Sequence, residues 1–454
     1  MVTSLSKAAL PWRRLSPSAR HPARIVVLAF GVATLIGTAL LMLPVATESG
    51  VGTDPVPALF TAVSAICVTG LVVVDTPTHW STFGEVVVLA LIQVGGFGIM
   101  TLASLLTLLV SRRLGLRMQL TAQAETKTLG LGDVRTVVGG VIVVSLVVEA
   151  VTAVLLGLRF LTGYGETPAR AAYLGIFHAV SAFNNAGFAL YTDSLVGFAT
   201  DPWVCLPILC AVILGGLGFP VLFELVRRRN RKRWSLHTRI TVPVYFGLLV
   251  IGTLAVLAFE WGNTLGELDV HHKLLAGVFH GVMPRTAGFN SIDVGAMQSS
   301  TLLVNDVLMF IGGGSAGTAG GIKVTTFALL AFVILAEIRG EPTVHVMDRR
   351  LADQVQRQAL TVALLGVGAV MAGTIALLSI SPFPLDDVLF EATSAFGTVG
   401  MSTGITAQLP ATGQLVLIAL MFIGRLGPIT LASALALRDR ARRYELPEER
   451  PVVG

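Results

Sequence analysis

Gly70, Gly187, Gly288 and Gly400 each close a segment that opens on phenylalanine: FTAVSAICVTGL from Phe60, FHAVSAFNNAGF from Phe177, FHGVMPRTAGF from Phe279 and FEATSAFGTVGM from Phe390. Three of these glycines follow their phenylalanine by ten residues, and Gly288 follows Phe279 by nine. Glycine adopts positive φ without steric cost and lets successive carbonyls turn the same way. Four such loops facing one axis would form rings of carbonyl oxygens, and such rings stand in for the hydration shell of a K⁺-like ion. Asn184, Asn185, Arg285, Thr286 and Asn290 are expected to support the loops from behind. The competing reading is a set of packing glycines in ordinary helices, which suits one such site better than four in register.

A second glycine motif follows in every unit: GGFG from Gly95, GGLG from Gly215, GGGS from Gly312 and GRLG from Gly424, at 25, 28, 24 and 24 residues after the first glycine. Two motifs recurring four times in one order mark an internal repeat. In the fourth copy Arg425 stands where Gly96, Gly216 and Gly313 stand in the others. An arginine at the centre of a membrane helix costs roughly 2.5–3.5 kcal/mol. It is therefore expected to face an aqueous cavity or a carboxylate, where its fixed charge opposes cation passage; a plain structural ion pair is the alternative.

The elements that must carry these residues follow from composition. The chain has 454 residues, 54% hydrophobic and 13% charged, with a mean hydropathy of +0.78. A soluble domain has about 25% charged residues, so this chain reads as a polytopic membrane protein. Eight apolar stretches are long enough to span a bilayer, near 25–47, 85–110, 137–158, 203–226, 239–261, 302–338, 358–380 and 413–437. The sixth is interrupted by GGGSAGTAGGIK, Gly312 to Lys323, which no stiff helix tolerates. Each unit thus reads as outer helix, re-entrant half-helix with extended loop, then inner helix. The fold expected is an all-α membrane protein of four parallel helix–pore-loop–helix repeats, eight transmembrane helices in pseudo-fourfold arrangement around one pore per chain. The divisions are a cytoplasmic N-terminal segment 1–24, repeats 25–118, 136–233, 239–340 and 358–437, and a cytoplasmic tail 438–454.

Of 32 Lys and Arg, 26 fall before span one, between spans two and three, four and five, six and seven, or after span eight. By the positive-inside rule both termini are cytoplasmic. The run RRRNRKR, Arg227 to Arg233, is the strongest anchor and suits contact with anionic lipid or a cytosolic partner. Cys67, Cys205 and Cys210 lack metal-ligand spacing and argue against a disulfide framework. Nucleotide-binding motifs of the P-loop and dinucleotide types are missing, so no nucleotide is expected on this chain. No paired carboxylates or histidine cluster at membrane depth point to an enzyme; His178 and His280 read as isolated residues at half-helix starts. Glu149 and Glu224 are buried acids expected at most to pair with basic side chains. Just past the glycines, Asp75, Asp193 and Asp293 could form a partial acidic ring at an outer mouth, with Thr406 in the matching place of unit four, or be unrelated loop carboxylates.

VTGLVVVDT from Val68, FNNAGF, RTAGFN and FGTVG, together with LIGTALLMLP from Leu35, GGGSAGTAGGIK and GRLGP from Gly424, resemble segments of the Trk/Ktr/HKT superfamily of K⁺ transporters over almost the whole chain. Eight spans without an additional N-terminal helix pair look most like the Ktr-type membrane subunit, KtrB. The resemblance implies a bacterial plasma (inner) membrane location and a K⁺ selectivity filter formed by Val68, Thr69, Gly70, Asn185, Ala186, Gly187, Thr286, Ala287, Gly288, Thr398, Val399 and Gly400. It implies K⁺ preference, because relatives with serine at the first glycine tend to pass Na⁺. The loops depart from the TVGYG of dedicated K⁺ channels, which points to weaker selectivity. It further implies an intramembrane gating loop of Gly312, Gly313, Gly314, Ser315, Ala316, Gly317, Thr318, Ala319, Gly320 and Gly321, with Arg425 in the barrier and Lys323 either assisting or snorkelling. The partners implied are a second copy of the chain in a homodimer, the lipid bilayer, and a cytosolic RCK-domain ring (KtrA-like) that binds ATP, ADP or NAD(H); nucleic acid is not among them. Na⁺ enters as an activator, and coupled K⁺/Na⁺ or K⁺/H⁺ symport is the alternative to a channel.

Overall fold

The computed structural model describes residues 22–113, 134–227 and 234–427. The N-terminal segment before Pro22, most of the Arg227–Arg233 cluster, the end of the fourth repeat and the C-terminal tail lie outside the described residues, and with them both termini. The described residues are mostly helical, with almost no sheet. Unit one runs α1 (Pro22–Leu41), α2 (Pro55–Ile66), α3 (Thr76–His79) and α4 (Thr82–Arg113). Unit two runs α5 (Val134–Gly163), α6 (Pro168–Phe183), α7 (Pro202–Leu217) and α8 (Phe219–Arg227). Unit three has α9 (Leu236–Glu260), α10 (Val270–Val282), α11 (Ser299–Ile311) and α12 (Val324–Ile338). A small antiparallel hairpin, β1 (His345–Val346) with β2 (Arg349–Arg350), leads to α13 (Asp353–Ile380), α14 (Leu385–Gly397) and α15 (Ala411–Leu426) of unit four.

Among the described residues, α5, α9 and α13 are each long and apolar enough to cross a membrane alone. Their outward faces carry exposed Val147, Val151, Val154 and Leu158 on α5, Val250, Ile251 and Leu254 on α9, and Leu360, Leu364, Val367 and Met371 on α13. Continuous exposed apolar faces of this extent need hydrocarbon around them. The stretch 203–226, expected as one span, is instead two helices: α7 and α8 meet at an angle of 101°. Gly218 makes that corner at φ +91°, where any side chain would be driven into the Ser315 carbonyl. The stretch 302–338 is likewise divided, with residues 312–323 non-helical between α11 and α12.

The short helices α2, α6, α10 and α14 start cleanly. Pro55 and Pro168 stand in the first turn of theirs, where a missing N–H costs nothing. The Thr167 hydroxyl caps α6 by accepting the Arg170 N–H, and Asp386 and Asp387 place negative charge in the first turn of α14. Each packs on the long helix preceding it, α1, α5, α9 and α13 respectively. Each also packs on the inner helix of the unit before: α6 on α4, α10 on α7, α14 on α11, and α2 on α15. The last pair joins the end of the described chain to its beginning, so the contacts close into a cycle. Phe60, Phe177, Phe279 and Phe390 point into this assembly and are 0% exposed.

Candidate functional site

The glycines that end the segments lie at the centre of the cycle. A Cβ on Gly70 would strike the Ala186 carbonyl; one on Gly187 would lie 2.8 Å from the Ala287 carbonyl; one on Gly288 would strike that of Val399, and one on Gly400 that of Thr69. Each loop therefore abuts the next, one to two to three to four and back to one, backbone against backbone. All four glycines have positive φ, from +70° to +95°. Two residues earlier in each loop a non-glycine residue is also left-handed: Val68 at 55°, Asn185 at 59°, Thr286 at 87° and Thr398 at 48°. Three of these are β-branched, a residue class that rarely takes positive φ. Strain of about 1–3 kcal/mol per residue persists only where surrounding structure dictates it.

A serine in the short helix does much of that work. The Ser64 hydroxyl accepts the Gly70 N–H at 3.1 Å and donates to the Leu71 carbonyl at 2.7 Å. Ser181 donates to Phe188 at 2.7 Å, and Ser394 accepts the Gly400 N–H at 3.2 Å. The serine carbonyls accept the N–H of Thr69, Ala186 and Val399. Unit three has Met283 in this position, in the segment that is one residue shorter. The brace recurs as VSA, VSA and TSA in the three longer segments, the signal by which the serines could have been found.

Of the residues expected behind the loops, Asn185 lies within 3.1 Å of the Thr318 hydroxyl and 3.3 Å of that of Thr286. Asn184 donates to Gln93 at 2.9 Å and to Glu149 at 3.1 Å. Glu149 is thus held by two amides, from Gln93 and Asn184, instead of by a basic group. Glu224 takes the Ser235 hydroxyl at 2.6 Å and the Thr238 hydroxyl at 2.5 Å. Arg285 turns away from its loop: its guanidinium lies 3.8 Å from the Tyr245 ring centroid and donates to the Tyr245 carbonyl at 2.6 Å. His178 sits in the second half of α6 and His280 in the last turn of α10, both fully buried and neither at a helix start.

Residues 312–323 lie against the ring. A Cβ on Gly320 would meet the Thr398 hydroxyl and the Gly397 carbonyl. Gly314 donates to the Gly216 carbonyl at 2.8 Å and Thr318 to that of Gly215 at 3.1 Å. Two cations hold three successive carbonyls of this loop. Arg425 donates to Thr318, and Lys323 donates to Ala319 and, at 3.0 Å, to Gly320. Arg425 is 6% exposed, and its Nε and second Nη have no partner among the described residues. No carboxylate pairs with it there; carbonyl dipoles serve instead. Of the three aspartates past the ring, Asp193 and Asp293 are exposed and Asp75 is half-buried. Asp75 accepts the Thr192 hydroxyl at 2.9 Å, next to Asp193, whereas Asp293 accepts the Gly295 N–H at 3.0 Å within its own turn. Thr406 is buried and donates to Glu391 at 2.7 Å, so it does not continue the aspartate series.

The chain matches the family model described as TrkH, cation transport protein, over residues 1–442. It is 39% identical to the Ktr system potassium uptake protein B of Bacillus subtilis over 96% of both chains. It is 38% identical to the protein of the same name from Vibrio alginolyticus, covering 95% of this chain and 94% of that one. Identity is 33% to the potassium/sodium uptake protein NtpJ of Enterococcus hirae, over 95% and 97%. The crystal structure of the potassium transporter TrkH from Vibrio parahaemolyticus superposes with a TM-score of 0.73 at 18% identity, covering 93% of this chain and 86% of that one, a likeness of fold. With the model match spanning nearly its whole length, the chain belongs to the TrkH family of cation transport proteins.

Proposed function

We propose that this chain is the ion-conducting membrane subunit of a bacterial K⁺ uptake system and that each copy contains its own pore. The observation that carries the reading is the closed ring, in which each positive-φ glycine meets the carbonyl of the next loop. Val68 to Gly70, Asn185 to Gly187, Thr286 to Gly288 and Thr398 to Gly400 line the path as the selectivity filter, and their carbonyl oxygens take the place of water around K⁺. The names of the relatives from Bacillus, Vibrio and Enterococcus support potassium as the cargo.

The Gly312–Gly321 loop is the barrier beside the filter. Its carbonyls would welcome a cation, but at Thr318, Ala319 and Gly320 they are taken by Arg425 and Lys323. The fixed positive charge of Arg425 in the path opposes entry of another cation. Opening therefore requires this clamp to loosen. A cytosolic nucleotide-binding ring of RCK type acting on a homodimer supplies that work, with Na⁺ as activator and both termini cytoplasmic in the inner membrane. Asp75, Asp193 and Asp293 gather cations at the outer mouth.

The experiment is rescue of a K⁺-uptake-deficient bacterial host at low external K⁺. Wild type restores growth, Gly70→Ser admits Na⁺ at the expense of K⁺ discrimination, and Arg425→Ala raises passive K⁺ leak. Unchanged ion preference and leak in both variants would remove the roles assigned here. A fixed Na⁺ or H⁺ flux accompanying K⁺ under imposed gradients would replace the channel by a symporter.

A further inference from the structure

The residue after the phenylalanine of each segment is polar in all four units: Thr61, His178, His280 and Glu391. None is more than 1% exposed. In two units the side chain reaches an equivalent atom. His178 Nε2 accepts the Leu190 N–H at 3.3 Å, and Glu391 accepts the Thr403 N–H at 3.1 Å. Leu190 and Thr403 each lie three residues past the glycine of their loop. The His178 tautomer follows from its other contact: Nδ1 lies 2.8 Å from the Leu174 carbonyl and donates to it, which leaves Nε2 to accept. Glu391 also takes the hydroxyls of Ser402 and Thr406, on either side of Thr403. In the other two units this anchor is lacking. The Thr61 hydroxyl has no partner among the described residues. His280 Nε2 faces Asn305 on α11 at 3.2 Å and makes no direct hydrogen bond to its loop among the described residues. Because the units follow one another around the ring, two and four stand opposite each other.

We propose that His178 and Glu391 are positioning residues that fix the limb of chain leaving the ring in units two and four, so that ion discrimination depends on this opposite pair. The proposal rests on reading the ring as the K⁺ filter. Carbonyls discriminate between ions through their number, spacing and field, and a limb free to shift alters all three. The buried Glu391 carboxyl group accepts three donors and so ties the limb at three successive points, Ser402, Thr403 and Thr406. Deleting it leaves the Thr403 N–H without its acceptor and the Ser402 and Thr406 hydroxyls with only each other, at 2.9 Å. His178 holds a single N–H, so its deletion is the milder of the two.

The test uses the full chain in liposomes, with ⁸⁶Rb⁺ uptake measured against Na⁺ competition. Glu391→Ala is expected to lower Rb⁺/Na⁺ discrimination by about tenfold. Glu391→Gln, which keeps an acceptor for Thr403, recovers most of the loss. His178→Ala causes a smaller loss, and Thr61→Val leaves the ratio at wild type. A wild-type ratio in Glu391→Ala, or equal damage from Thr61→Val, overturns the proposal. Should Glu391→Ala not fold, hydrogen exchange at the Leu190 amide decides: His178→Ala exchanges faster there than wild type, and equal rates count against the anchor. Exchange needs no transport. A wild-type chain that carried no K⁺ would therefore overturn the function proposed above and still leave the anchor to be judged by exchange.

Discussion

At the scale of single residues, the ring depends on what is missing from its glycines. Gly288 sits at φ +70°, and a methyl there would run into the Val399 carbonyl. Gly50 has nearly the same φ, +69°, but nothing lies within 4 Å of its Cβ position. Gly50→Ala is expected to cost only the left-handed penalty, about 1–2 kcal/mol. Gly288→Ala adds a clash with backbone that cannot swing aside, so its loss of thermal stability in detergent should be clearly larger. Equal losses would mean that the loops have room to separate. The need for glycine at these positions was legible in the sequence, because no other residue meets it at so little cost. The left-handed Val68, Thr286 and Thr398 two residues earlier were not legible, because their residue types argue against that conformation and only the surrounding structure imposes it. The bond from Arg285 to Tyr245 was hidden for a related reason: its acceptor is a backbone carbonyl 40 residues away, and backbone leaves no mark in residue type.

At the scale of elements, the second glycine motif lets helices touch. A Cβ on Gly95 would strike the Ile66 carbonyl, one on Gly215 that of Phe183, and one on Gly424 that of Phe396. In each case the inner helix meets the C-terminal end of the short helix of its own unit. Gly368, on the exposed face of α13, meets nothing within 4 Å. Gly368→Ala should raise stability by about 0.5–1 kcal/mol, the usual helix benefit. Gly424→Ala should destabilise by several times that amount and reduce uptake, since α14 and α15 must part. Thermal unfolding of the two variants side by side checks the contrast; two gains would disprove the contact. The division of 302–338 was visible from its glycine content. The corner at Gly218 was not, since one glycine in an apolar run also fits a continuous helix. It becomes intelligible once Ser315 is seen beside it.

At the scale of the whole molecule, closure depends on the fourth unit meeting the first through α15 and α2. The connection from α12 to the hairpin carries exposed Gly340 and Glu341, where few contacts would be lost by a cut. Two halves, residues 1–340 and 341–454, are expected to co-purify when expressed together and to support K⁺ uptake at more than about half of wild type, because α14 packs on α11 and α2 on α15 across the break. Either half alone should give none. Uptake by the larger half alone would show that the ring need not close. The outer-mouth aspartates illustrate why some features escape a sequence. Similar spacing from a glycine, five residues for Asp75 and Asp293 and six for Asp193, places a residue on the same loop but does not aim its side chain, and only Asp75 reaches the adjacent unit.

The third loop is one residue short and has methionine where the others have a bracing serine. In an assembly of four identical chains, such a change would strike every side of the conduit at once. Here the four quadrants are spelled out separately along one polypeptide, so selection can retune a single side while three stay as they were. Lineages built this way can alter ion preference in small steps, and a chemist can place a probe or a heavier side chain on one wall without disturbing its neighbours.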